Sequence, residues 1–325
     1  MQFVIIMINN KPFCFWDWNI KKKNEEFISE YDPLYFDTIA SMLHHHLEDE
    51  KTTKKQKQYI SFALRSYLSH AAESLFALLG ATLQAPDCIY GWLFKYRNSD
   101  LNSLIDNISK GARIRNKLRL SYVDWESLSN TIHQFELEDQ EKNNKIKRHF
   151  ADFWQRLSSE YRSKDFENIY NSIKHGYRAR PGGVFISFGL EKTHGKPATP
   201  NDMKSLGGSE YGATYFFEEF PTNSNHNIRL HEKTINWLPK NIWYQIGLIR
   251  LSLSNIISFL KLYHNQDPET AQYAWPENLE DFEFDLRNTT GTLGFTMNIE
   301  VKKSDIRDIS KEEITQLYDK HYMVE

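Results

Sequence analysis

QYISFALRSYLSHAAESLFALLGATLQ, residues 58–84, is the strongest helical pattern in the chain. Apolar or small residues recur at Ile60, Leu64, Tyr67, Leu68, Ala71, Ala72, Leu75, Phe76, Leu78, Leu79 and Leu83. That stripe is too wide for a helix with one wet face, so the segment reads as buried on more than one side. Pro86 ends it. A second segment, opening at Pro239 and running to Leu262, is apolar nearly all round and predicts a central bundle helix. Further helices are expected over 32–47, 101–108, 123–135 and 145–175, the last with a slip in spacing near 163–165. The class is therefore mainly α, with a bundle core over 32–264.

Outside that core the texture is β. Residues 3–7 and 13–18 alternate around the turn Asn9-Asn10-Lys11-Pro12, a hairpin expected within residues 1–20. The charged run 21–26 reads as a connection. GGVFISFGL at 182–190, GATYFF at 212–217 and residues 227–231 predict a small β insertion over about 182–231. Residues 281–287 and 292–302 predict a terminal hairpin across 288–291, followed by a helix at 311–322, so 275–325 reads as a C-terminal hairpin and helix.

Composition narrows the partners. The 325 residues carry a formal charge of -3, so global charge announces neither nucleic acid nor membrane, and any basic site must be local. Cys14 and Cys88 are the only cysteines, too few for a disulfide scaffold or a thiolate zinc site. The start reads as a strand rather than a signal peptide. The apolar run 242–262 is interrupted by Gln245, Arg250 and Asn255 and is not expected to cross a bilayer. These features predict a cytoplasmic protein with no membrane partner, no metal and no cofactor. His44, His45 and His46 point in different directions on a helix and read as a solvated turn. There is no GxSxG, HExxH or GxxxxGK[ST] pattern.

The densest polar group is YNSIKHGYR, residues 170–178, which closes a helical run ahead of Pro181-Gly182-Gly183. Asn171, Lys174 and His175 stand at i, i+3 and i+4, on one helical face. An amide, an ammonium and an imidazole together can grip an anion or move a proton. The plain structural alternative is a solvated helix end, with Lys174 and His175 at the negative dipole terminus and Gly176 as the left-handed stop. Arg65, His70 and Glu73 edge the helix at 58–84. KGARIRNKLR at 110–119 places Lys110, Arg113, Arg115, Lys117 and Arg119 close together, the best local candidate for an RNA backbone contact. Metal-free phosphodiester cleavage needs this inventory: a base for the 2′-hydroxyl, an acid for the leaving oxygen and a cation for the charged phosphorane.

The segment at 170–178 resembles the motif of HEPN domains, all-α bundles found in toxin–antitoxin, abortive-infection and antiviral proteins. Asn171, His175, Gly176 and Tyr177 match that motif, while Tyr170 stands where the family has Arg. LSHAAESLFALL at 68–79 is similar to the first core helix of many HEPN domains, with Glu73 at the acidic position. The resemblance implies a role on nucleic acid, often as a metal-independent ribonuclease that pairs two motifs in a homodimer or with a partner protein. His175, Asn171, Lys174 and Glu73 would then form the site, with Arg65 or Arg178 as the missing cation; Arg65-Ser66 with His70 repeats the motif's spacing. HEPN domains with degraded motifs serve as non-catalytic modules binding RNA, nucleotide or protein. A third reading is an unrelated helical protein whose polar cluster caps a bundle.

Overall fold

The computed structural model describes residues 2–174, 178–219, 227–283, 295–302 and 309–322. Its centre is α3, Lys54–Gln84, which runs beside α9, Pro239–Tyr263, with α2, Leu34–Glu48, packed on both. Thr53 starts α3 through a capping box: its hydroxyl accepts from Gln56 N at 3.3 Å and Gln56 Oε1 accepts from Thr53 N at 2.9 Å. From Leu75 to Gln84 every residue of α3 is buried. The expected bundle is present.

Around this pair stand α4 (Ile89–Lys95), α5 (Asn98–Ser109), α6 (Trp125–Ile132), α7 (Gln140–Tyr161) and α8 (Lys164–Lys174). The slip in spacing near 163–165 is a real break between α7 and α8. Ser163 Oγ accepts from Phe166 N at 3.2 Å and restarts the helix.

Two expectations change at the ends of the bundle. Residues 21–26 are not a connection but the first turns of α1, Ile20–Glu30. Its exposed face carries the i,i+4 pairs Lys21–Glu25 and Lys22–Glu26, while Ile20, Asn24 and Ile28 turn inward. Asn24 receives the Ile89 amide at 2.7 Å and donates to the Pro86 carbonyl at 2.9 Å, clasping the α3–α4 connection. His44, His45 and His46 lie in the helix proper rather than in a turn, and His44 stacks on Trp243 at 4.4 Å.

The N-terminal hairpin pairs β1, Gln2–Ile8, with β2, Lys11–Asp17. Gln84 fastens its turn to the bundle. The Gln84 side chain accepts from Asn9 N at 3.0 Å and donates to the Asn9 carbonyl at 3.2 Å.

After α8 come β3 (Ala179–Pro181), β4 (Phe185–Phe188), β5 (Lys204–Gly208), β6 (Gly212–Glu219) and β7 (Asn227–Asn236). Only part of the expected terminal hairpin lies within the described residues. Residues 281–283 lie in a 3-10 turn, 284–294 fall outside the described residues, and β8, Phe295–Lys302, pairs antiparallel with β7. The C-terminal strand thereby completes the insertion's sheet, in the order β3-β6-β7-β8, before the final helix α10, Lys311–Tyr322. Strand pairing needs a partner edge, and the one β7 offers lies in a segment far earlier in the chain.

By length and composition α9 is apolar enough to cross a membrane, despite Gln245, Arg250 and Asn255, and 67% of its most apolar window is buried inside the protein. Two of its polar residues bond within the bundle. Ser252 accepts from Trp154 Nε1 at 2.9 Å, and Asn255 exchanges two hydrogen bonds with Ala274, at 2.8 and 2.9 Å.

His133, just past α6, is wholly buried, stacked on Phe150 at 4.4 Å and on Trp154 at 5.5 Å. Its Nδ1 lies 2.9 Å from the Ser129 carbonyl oxygen. Burial pushes its pKa down to about 3, a shift the Ser129 carbonyl opposes and Lys147 reinforces. Below about pH 6.5 the unfolded chain takes up a proton that the folded chain refuses, so stability falls with pH, by at most ~1.4 kcal/mol per unit from this group. His133→Phe keeps the ring stack and removes the proton site. Urea unfolding between pH 6.5 and 4.5 should give the variant a shallower slope of stability against pH; equal slopes would mean that His133 is not held neutral.

Candidate functional site

The helix that carries the motif, α8, is held at both ends by the sheet. At its start Asp165 accepts from Tyr215 OH at 2.9 Å on β6 and from Lys233 Nζ at 2.7 Å on β7. At its end Ser172 Oγ donates to the Phe216 carbonyl at 3.4 Å. Phe166, Ile169 and Ser172 face inward, while Asn171 and Lys174 are exposed, as one helical face requires.

His175, with Gly176 and Tyr177, lies outside the described residues. The chain resumes at Arg178, whose amide donates to the Ser172 carbonyl at 2.7 Å. That bond ties the Arg178 backbone to the last turn of α8, and the Arg178 side chain is exposed, as are those of Asn171 and Lys174. The Lys174 ammonium stands 5.8 Å from the Tyr170 ring centre.

Glu73 reaches α8 from α3. Its carboxylate accepts from Tyr96 OH at 3.2 Å. Burial first, and then the Glu73 charge, raise the pKa values of the Tyr96, Tyr161 and Tyr170 phenols. Glu73 and Tyr170 are thus neighbours in space, though 97 positions apart in sequence.

Arg65 does not join them. Its Nη1 donates to Glu160 Oε1 at 3.0 Å, with side-chain exposures of 8% and 17%, and its guanidinium lies 4.5 Å over the Phe166 ring. It serves the start of α8 and the wall of α7, and it supplies no cation to the exposed end. His70 is exposed and packs against Phe36 at 5.6 Å, on the α2 side, so the Arg65-Ser66-His70 spacing does not become one site.

In the basic stretch Lys110 and Arg113 are exposed although each has a partner. Lys110 pairs with Asp106, Lys117 with Asp87 at 2.7 Å, and Arg113 donates to Tyr122 OH at 2.9 Å while lying 5.1 Å from that ring. Arg115 and Arg119 are exposed. The segment closes the end of α3, since the Arg115 carbonyl accepts from Gln84 and the Lys117 amide donates to the Leu83 carbonyl.

The sequence reading missed a cavity of about 840 Å³ on the other side of α8, reached by Arg65, His149, Arg156, Glu160 and Phe166. A polar stripe at 149, 152, 156 and 160 was visible in α7, but only folding could show that it borders a hollow. Among the described residues no three His, Cys, Asp or Glu side chains gather as a metal-binding group. Comparison with family models, curated proteins and solved structures gives no match for this chain.

The two arginines separate by stability. Arg65→Met strands Glu160 against Phe166 and should cost about 3 kcal/mol in urea unfolding. Arg178→Ala removes an exposed side chain and should stay within about 0.5 kcal/mol. Equal losses would contradict the buried ion pair.

Proposed function

We propose that this chain is a HEPN-like protein that acts on RNA from the exposed end of α8, as a metal-independent endoribonuclease of the toxin–antitoxin or antiviral kind. The observation that supports this reading is the return of Arg178 onto Ser172, which gives the motif a cation it lacks at position 170. Arg178 and Lys174 hold the scissile phosphate and stabilise the phosphorane as charge builds. Asn171 donates an amide hydrogen to a phosphate oxygen or the 2′-hydroxyl. His175 takes the 2′-hydroxyl proton or gives one to the leaving oxygen. A single imidazole cannot do both at once, so a second copy of the chain, or a partner protein, supplies the other proton-transfer group.

A second reading has its own support. Tyr170 cannot supply the positive charge that Arg brings at that place in the motif, because a phenol is never cationic, and burial and the Glu73 charge raise its pKa further. With Tyr170 in place of that Arg, α8 would bind RNA, nucleotide or a protein partner without cutting.

Cleavage of a mixed pool of structured and single-stranded RNA, with chelator present, separates the two. Cutting should survive chelation, vanish in His175→Ala and fall about 100-fold in Arg178→Ala. Intact RNA that still binds, and binds more weakly to Lys174→Ala and Arg178→Ala, would give the site to the second reading. Neither cutting nor binding by a folded protein would overturn both.

A further inference from the structure

The cavity lies between α7, the start of α8, β7 and the 3-10 turn at Leu279–Glu283. Its volume of about 840 Å³ falls within the ~300–1,000 Å³ range of small-molecule sites. His149, Arg156 and Glu160 stand at i, i+7 and i+11 of α7, a stripe roughly 40° wide on the helix. Each carries a buried polar atom with no protein partner: His149 Nε2, Arg156 Nε and Glu160 Oε2. An unpaired buried polar atom costs about 1–3 kcal/mol, so three of them bordering one hollow call for a partner inside it. The rest of the lining is mixed: Phe166, Ile169, Ile235, Trp237 and Phe282 form an apolar and aromatic wall, and polar residues such as Gln155, Ser159 and Ser163 complete the rim. His149 lies parallel to Phe282, ring centres 5.2 Å apart and planes within 6°.

Charge narrows the occupant. Arg65 is matched by Glu160 and Asp165 by Lys233, which leaves Arg156 facing Asp152 and Glu283. Lys145 also acts on His149, so among the described residues the charges around the cavity balance, and no unmatched cation is left to hold a phosphate or carboxylate. Burial lowers the His149 pKa, so its ring adds no compensating charge.

We propose that this cavity binds an uncharged aromatic nitrogen heterocycle whose edge presents both an N–H donor and an acceptor. The ring lies along the Phe166, Trp237 and Phe282 wall. Glu160 Oε2 takes the ligand's N–H, Arg156 Nε–H gives to its acceptor, and His149 Nε2 serves either role according to tautomer. The site is distinct from the exposed end of α8 and does not rest on the RNA reading.

Calorimetric titration of the full chain with adenine, cytosine and adenosine tests this, with adenosine monophosphate as the anionic counterpart and benzene as the apolar one. At least one of the three heterocycles should bind saturably at one site and raise the melting temperature with concentration. The monophosphate should bind at least about tenfold more weakly than adenosine, and benzene should not reproduce the effect. His149→Phe keeps the stack on Phe282 and should weaken binding at least about tenfold. Ile235→Trp fills the hollow from β7 and should abolish it. Absence of saturable binding up to about 1 mM, with cooperative melting intact, would leave water as the cavity's occupant and overturn the proposal. So would a monophosphate that binds as tightly as adenosine, or unchanged affinity in either folded variant.

Discussion

A helix buried on nearly all sides must find a partner for each buried polar side chain: in α3, Ser69 and Thr82 bond back to its own carbonyls, while Ser61, Arg65, Glu73 and Gln84 reach out to neighbouring elements. Ser61 accepts from Trp237 Nε1 at 2.7 Å and fixes the junction between β7 and α9. Arg65 takes Glu160 and fixes α7. Glu73 takes Tyr96, and its charge acts on Tyr170 of α8. Gln84 joins the N-terminal hairpin, Trp92 of α4 and the loop at Arg115. Removing one partner leaves a buried donor or acceptor bare, so these bonds place the elements more sharply than apolar packing alone, which tolerates sliding.

The two ends of α8 differ because of this arrangement. Its start is pressed between α3 and α7, where the Arg65–Glu160 pair and Asp165 are partly withdrawn from water and charge must be matched. Its end leaves the bundle beside the sheet, where Asn171, Lys174 and Arg178 stay solvated and able to meet a large ligand. One helix thus separates a hollow suited to a small molecule from a surface suited to a polymer.

The sheet shows how far apart in sequence such a surface is assembled. Strands β3, β6 and β7 follow the motif, whereas β8 comes from beyond α9 and extends the sheet at β7, while α8 rests on β6 and β3. Asn236 secures the far side by exchanging hydrogen bonds with Val184 at 2.8 and 2.9 Å.

Local pattern determined much of this protein. Periodic apolar residues marked α3 and α9, Pro86 marked a stop, and the slip near 163–165 marked the break before α8, because 3.6-residue periodicity and backbone chemistry act within a few residues. The exposed face of Asn171 and Lys174 was visible for the same reason. Charge patterning misled at α1, where Lys21–Glu26 hid a helix whose buried stripe includes Asn24, a polar residue satisfied by the distant Pro86, Ile89 and His264. Tertiary structure alone decided that Arg65 belongs to Glu160 and not to the motif, and that the Glu73 charge acts on Tyr170. It alone paired β8 with β7 and opened a hollow beside the stripe of His149, Arg156 and Glu160. Each of these depends on contacts between residues dozens of positions apart, whose energies exist only once the chain has closed around α3.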